Sequence, residues 1–211
     1  MKKNPEKTLE NILSVSAKLF TEKGYEKTSI QDIINELGMS KGAIYHHFKS
    51  KEEILNAIFL YHSNQLEQLL NQWVYENEGL NARENLIKIL RNNWAYIEAN
   101  SLSESMISQP SSPQLILGNM KINIQKSAPI FAKIMVDGKE DGSITTEYPN
   151  ECAQVFFLLI NFWCDPTIFE FSFQELINRL KFIQQMMKNM GADILTDDLI
   201  TSISNSLKLS N

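Results

Sequence analysis

The chain is predicted to be all-α, and three observations carry that expectation. Its 211 residues include only 8 Gly and 6 Pro, too few breakers for a fold of many short strands and turns. Apolar residues recur at three- and four-residue spacing through most of the chain, while alternating β-branched runs are few. Several of these stretches open on a serine followed three residues later by a carboxylate, as in Ser29 with Asp32, Ser50 with Glu53 and Ser172 with Glu175; that pattern marks a helix N-terminus. With 43% apolar residues a sizeable core can be filled, and the length suits a small domain followed by a larger one.

Taken in order, Asn4-Pro5 supplies a cap and a proline at the first helical position. The helix it opens runs to about Glu22 or Lys23 on an apolar stripe of Leu9, Ile12, Leu13, Leu19 and Phe20. Gly24 ends it, and Tyr25 is placed to tuck beneath. Ser29 caps a second, short helix carrying Ile30, Ile33, Ile34 and Leu37, which Gly38 stops. Ser40 caps a third, whose Ile44 and Phe48 sit four apart and face inward. Its remaining surface is Lys41, Gly42, Tyr45, His46 and Lys49. Two short helices joined by a tight glycine turn, the second with an uncovered donor-rich face, describe a helix-turn-helix.

The Ser50-Lys51-Glu52-Glu53 capping box then opens a helix with no breaker before Gly79, about 27 residues or 40 Å long. Ile54, Leu55, Ile58 and Phe59 are positioned to close the N-terminal core, and Leu66, Leu69, Leu70 and Trp73 belong to the next one. Beyond it the pattern predicts a helix over 82–100, a short one over 103–108, a break at Pro110 to Pro113, and a helix over 114–136 bent near Pro129. The segment 137–142, DGKEDG, reads as a polar turn. The helix over 149–163 is apolar nearly all round, so burial on most faces is expected. A helix over 172–190 stops at Gly191, and 196–207 forms a weaker terminal helix.

Net charge is −5, unevenly spread: residues 1–51 hold nine lysines against six acids, and the remaining 160 hold eleven bases against nineteen acids. A mildly basic end on an acidic body suits contact with a polyanion through that end. No apolar run approaches the roughly 20 residues that span a bilayer, and no Arg-rich or apolar leader opens the chain, so a cytoplasmic protein without membrane contact is expected. Cys152 and Cys164, about 18 Å apart along one helix, are expected to be free thiols. His46 and His47 diverge by about 100° on a helix and make a poor metal pair. No Gly-rich phosphate loop, metal-spaced cluster or nucleophile elbow is present, so neither catalysis, a metal site nor a cofactor is expected.

Residues Gly24-Tyr25, Thr28-Ser29-Ile30, Ile33, Gly38, Ser40-Lys41-Gly42, Ile44-Tyr45-His46-His47-Phe48, Lys51 and Glu53-Ile54-Leu55, at these spacings, resemble the N-terminal DNA-binding domain of TetR-family transcriptional regulators. The resemblance covers about residues 8–60; beyond it the chain is similar only in being a helical body of suitable length. It implies a helix-turn-helix DNA-binding domain over 1–52 and a helical regulatory and dimerisation domain over 53–211. It further implies a homodimer formed through the helices near 149–163 and 172–190, a palindromic double-stranded operator, and a small-molecule effector. A repressor released by an apolar or amphipathic molecule is the expected function. The alternative is a regulator without a small ligand, controlled by a protein partner or acting as an activator.

Within the motif, Thr28, Ser29, Ser40 and Lys41 are candidate phosphate clamps, because helix N-termini concentrate unpaired N–H groups. Gly42 removes a side chain where the backbone must approach the groove wall. Tyr45 and His46 offer ring surfaces and donors to base edges. Lys49 adds charge, and His47 and Lys51 are placed for backbone contacts, as the resemblance implies. Residues 1–60 contain no Arg, so the bidentate Arg–guanine contact is closed to this motif; phosphate contacts, thymine methyls and DNA shape are expected to carry recognition. For the effector, Trp94, Met106, Met120, Ile124, Phe156, Ile160, Asn161 and Trp163 are candidate cavity residues, with Ile107 beside them and Asn93 or Gln125 as further polar handles.

Overall fold

A computed structural model of the protein describes residues 5–76, 79–99, 113–166 and 168–208, and every regular element among them is a helix. α1 (Pro5–Glu22), α2 (Ile30–Leu37) and α3 (Lys41–His47) pack with the first turns of α4 (Lys51–Glu76). Their shared core holds Ile12, Leu13, Phe20, Tyr25, Ile33, Ile34, Ile44, Phe48, Ile54, Leu55 and Ile58. Gly24 takes φ +88°, which lets the chain reverse, and Tyr25 then meets the Phe20 ring edge-on at 5.1 Å. Leu9 remains exposed, one turn short of the packed face. Glu53 N–H donates to Ser50 Oγ as the box requires, but the Glu53 carboxylate takes its reciprocal bond from the N–H of Lys49.

The larger core begins at Leu70 and Trp73, in the second half of α4. Around it stand α5 (Ala82–Ala99), α6 (Pro113–Ile122), α7 (Ala128–Asp141), α8 (Pro149–Leu158), α9 (Phe173–Asn189) and α10 (Asp197–Lys208). One helix, α4, thus contributes to both cores. The Ser172 capping box is formed at the start of α9 with Glu175. The terminal helix is firmly seated, with Leu199, Ile200 and Ile203 buried.

Three departures from the sequence pattern have physical causes. The bend expected near Pro129 is a π-helical turn over Asn123–Ser127. Proline lacks an N–H and its ring crowds the carbonyl four residues earlier; the preceding turn widens, and Ala128 N–H donates to the Asn123 carbonyl, five residues back. The segment 137–142, read as a polar turn, instead continues α7 to Asp141. Gly138 permits this: a Cβ there would lie 2.9 Å from Ile144 and 3.0 Å from Ala82. Asp141 then accepts the N–H groups of Ala82 at 2.7 Å and Ser143 at 2.8 Å, capping α5.

The third departure concerns α8, which passes into a second π-helical turn over Leu159–Trp163. Cys152, Ala153 and Phe156 are buried, but Val155 is exposed and Leu158, Phe162 and Trp163 are half-buried. Burial on most faces therefore does not hold within one chain. The short helix expected over 103–108 lies outside the described residues. Both cysteines are buried and unpaired, and burial pushes the Cys164 thiol up to about 11. No described helix is long and apolar enough to cross a membrane.

Candidate nucleic-acid interface and inner cavity

The helix-turn-helix is locked from both ends by short polar contacts. Ser29 Oγ accepts the Asp32 N–H at 3.1 Å, while the Asp32 carboxylate accepts the Ser29 N–H at 2.8 Å. Lys23 donates to the same carboxylate at 2.6 Å; with the Ser29 bonds it holds Asp32 well below the usual carboxylate range. Gly38 turns the chain at φ +60°, and Met39 N–H closes on the Ile34 carbonyl at 3.3 Å. Ser40 Oγ accepts the Ala43 N–H at 3.3 Å. Ile44 and Phe48 then fasten α3 inward, both buried.

What α3 presents outward follows from that anchoring. Lys41, Gly42, Tyr45, His46 and Lys49 are exposed, Tyr45 by 42%, and His47 is half-buried. Lys41 Nζ lies 5.7 Å from the Tyr45 ring centre, and the His46 and His47 rings meet edge-on at 5.5 Å. A Cβ added at Gly42 would touch nothing within 4 Å, so the protein's own packing does not require glycine there.

Thr28 and Lys51 sit differently from the rest of the set. Thr28 is only 2% exposed, with its Oγ1 2.8 Å from the Gly24 carbonyl and 3.2 Å from that of Leu19. Lys51 Nζ donates to the Tyr25 carbonyl at 2.7 Å and stands 4.2 Å over the Tyr25 ring. Thr28 closes the α1–α2 connection on the end of α1, and Lys51 pins it to the start of α4. Ser29 and Ser40 remain exposed at the two helix starts.

A cavity of about 250 Å³ cuts into the second core, partly open to solvent where Tyr96 and Asn161 are exposed. Leu90, Asn93, Trp94 and Tyr96 of α5 line one side, and Phe156, Phe157, Ile160 and Asn161 line another. Asn123, Ser127, Phe131 and Leu70 complete the wall with Leu195, Leu199 and Ile203. Of the candidates chosen from sequence, Trp94, Phe156, Ile160 and Asn161 meet here, as does Asn93. Met120 and Ile124 are half-buried and Gln125 exposed, all away from the lining. Trp163 instead stacks 5.1 Å from the Arg179 guanidinium, which donates to its carbonyl. Met106 and Ile107 lie outside the described residues.

The α6 helix joins this cavity to the reading head. Gln114 donates to Glu26 at 3.0 Å, and Gly118 packs so tightly on Phe59 that a Cβ would lie 2.2 Å from the ring. Lys126, in the π-turn, pairs with Glu67 of α4 at 3.1 Å. On the outside of α8 and α9, Tyr148, Val155, Phe173, Phe182 and Met190 are exposed. Among the described residues no group of three or more His, Cys, Asp or Glu is arranged to hold a metal.

Comparison with known proteins agrees with this architecture in both halves. Residues 12–58 match the family described as bacterial regulatory proteins, tetR family, and residues 96–186 match the tetracyclin repressor-like C-terminal domain. The chain is 54% identical over 46 residues to YerO, an uncharacterized HTH-type transcriptional regulator of Bacillus subtilis (strain 168); that match covers 22% of this chain and only 16% of YerO. It is 27% identical over 147 residues to the HTH-type transcriptional repressor KstR2 of Rhodococcus jostii (strain RHA1), covering 67% of this chain and 70% of that protein. The crystal structure of the transcriptional regulator FadR from Bacillus subtilis in complex with stearoyl-CoA has the same fold, with TM-score 0.60 at 17% identity, over 96% of this chain and 98% of that one. With its two family matches falling on the helix-turn-helix head and the helical body, the chain belongs to the TetR family of DNA-binding transcriptional regulators.

Proposed function

We propose that the protein is a ligand-responsive repressor that binds an inverted-repeat operator as a homodimer and leaves it when a small molecule occupies the inner cavity. The observation that carries the DNA side is the exposed Lys41, Gly42, Tyr45 and His46 surface on a helix whose opposite side, Ile44, is fully buried. Such a helix is rigidly held and chemically open. Lys41, Lys49, Ser29 and Ser40 supply charge and hydroxyl donors for phosphates, Tyr45 and His46 enter the major groove, and His47 flanks the backbone. Thr28 and Lys51 serve this surface by holding its frame, since their polar atoms already have partners inside the head.

One head alone covers too little DNA for useful affinity, so two must bind together. The exposed Val155, Phe173 and Phe182 of α8 and α9 offer a second copy an apolar surface. The cavity favours a small effector over a protein partner as the controlling signal, because a regulator worked only from outside needs no internal void. In this reading 1–52 reads DNA, 53–211 senses and dimerises, and the protein works in the cytoplasm, where DNA is available.

Selection of bound duplexes from a random pool tests the reading. The expected product is an inverted repeat whose half-site centres lie roughly 34–36 Å apart or at a multiple of that spacing. Recovery of single, unpaired half-sites would contradict the dimer, and no enrichment at all would contradict sequence reading.

A further inference from the structure

The chemistry of the effector can be narrowed from the cavity wall. Among the described lining residues none carries a charge, and an ion taken into such a space without a counter-charge loses its hydration uncompensated. The nearest cation on that wall's helix, Lys126, is paired with Glu67. The volume is about 250 Å³; a dry cavity of roughly 150 Å³ takes up benzene, so the space suits one substituted ring.

Ser127 adds a polar requirement. It is 1% exposed, lines the cavity, and its Oγ has no hydrogen-bond partner. A buried helical serine ordinarily bonds the carbonyl four residues back, as Ser204 does to Ile200 at 2.6 Å. Ser127 makes no such bond to Asn123, whose carbonyl accepts the Ala128 N–H across the π-turn. Its proton is left without an acceptor at the wall of the cavity. The other orphaned hydroxyl among the described residues, Ser16, does not line the cavity. Two asparagines of the lining add direction: Asn123 Nδ2 donates to the Asn119 carbonyl and Asn161 Nδ2 to that of Phe157, which leaves their amide oxygens to accept. Both π-turns, a feature frequent at functional sites, contribute residues to this wall.

We propose that the cavity binds an uncharged, mainly apolar molecule the size of one substituted ring, carrying a single hydroxyl whose oxygen accepts the Ser127 O–H and whose proton is donated to an asparagine amide oxygen of the wall. The assignment rests on the effector reading of the cavity and excludes anionic ligands such as carboxylates and acyl-CoA thioesters from it.

Three probes of matched size separate the requirements: 4-ethylphenol, 4-ethylanisole, which lacks the donor, and 4-ethylbenzoate, which is anionic. Calorimetric titration into the protein is expected to show 4-ethylphenol binding at least tenfold tighter than 4-ethylanisole, with 4-ethylbenzoate not binding at millimolar concentration. Ser127→Ala should weaken 4-ethylphenol about tenfold, by removing the hydroxyl its oxygen accepts from, and leave 4-ethylanisole within about threefold of its wild-type affinity. Equal binding of the benzoate, failure of all three, or a 4-ethylphenol affinity unchanged by Ser127→Ala would overturn the proposal; the wild-type ordering decides the charge and donor questions even if the variant misfolds. Operator affinity measured on the same samples separates the two readings. Binding in the expected order without loss of operator affinity keeps the ligand class and sinks the effector role.

Discussion

Gly42 shows how a single residue can separate folding from recognition. Alanine there would meet no neighbour and would favour the helix by about 0.5–1 kcal/mol. Gly42→Ala is expected to raise the melting temperature slightly and to weaken operator binding about tenfold, the signature of a residue kept for close approach. Lys41→Ala should leave the fold intact and lower the slope of log K against log[salt] by about one per lost phosphate contact, hence about two for a dimer. Asp32 makes a pH prediction. Its carboxyl is held low by Lys23 and Ser29, so the stability it lends is present above its unfolded value near about 4 and is lost as pH falls below that. Acid titration of the melting temperature should therefore be flatter for Asp32→Asn between pH 5 and 2. The outward residues of α3 were legible in the sequence because Ile44 and Phe48 fix which way the helix faces. Thr28 and Lys51 were not: their type suggests phosphate, and only the folded chain shows the carbonyls of Gly24 and Tyr25 within their reach.

At the scale of elements, caps and glycines marked most helix ends correctly, including α2, α3 and α9. The failures came where tertiary contacts override local polarity. The polar run 137–142 is helical because Gly138 lets Ile144 and Ala82 close on it, a proximity of segments far apart in the chain. Likewise Pro129 announced a disturbance, but its form as a π-turn, with an unpartnered Ser127 hydroxyl beside it, depends on the three-dimensional helix. The α6 helix and its π-turn run from the Phe59 contact at Gly118 to the cavity at Ser127, about 13 Å along the axis at 1.5 Å per residue. Gly118→Leu is expected to cost about 1–3 kcal/mol through overpacking on Phe59 and to change how strongly cavity occupancy alters operator affinity. A double-mutant cycle with Phe59→Ala should recover part of both effects. Additive effects would remove this contact from the coupling.

At the scale of the whole molecule, the proposed dimer rests on the apolar surface of α8 and α9. Phe182 is 57% exposed in the single chain, so Phe182→Glu should leave the monomer's thermal stability within about 0.5 kcal/mol while sedimentation shows the dimer dissociating at micromolar concentration. Operator binding should fail with it. A variant that stays dimeric would place the interface elsewhere. The division into a reading head and a larger body was visible in sequence from the charge asymmetry and the long Ser50 helix. The cavity was visible only as a stock of apolar residues, since a void depends on how side chains fail to fill space. The account as a whole stands on one coupling: filling the cavity must change what the head does to DNA. Operator affinity of the protein, measured by fluorescence anisotropy with and without saturating 4-ethylphenol, tests it. The account predicts a rise in melting temperature together with a loss of operator affinity of about a hundredfold, equivalent to about 3 kcal/mol of preference for the released form. A rise in melting temperature with operator affinity unchanged would contradict it.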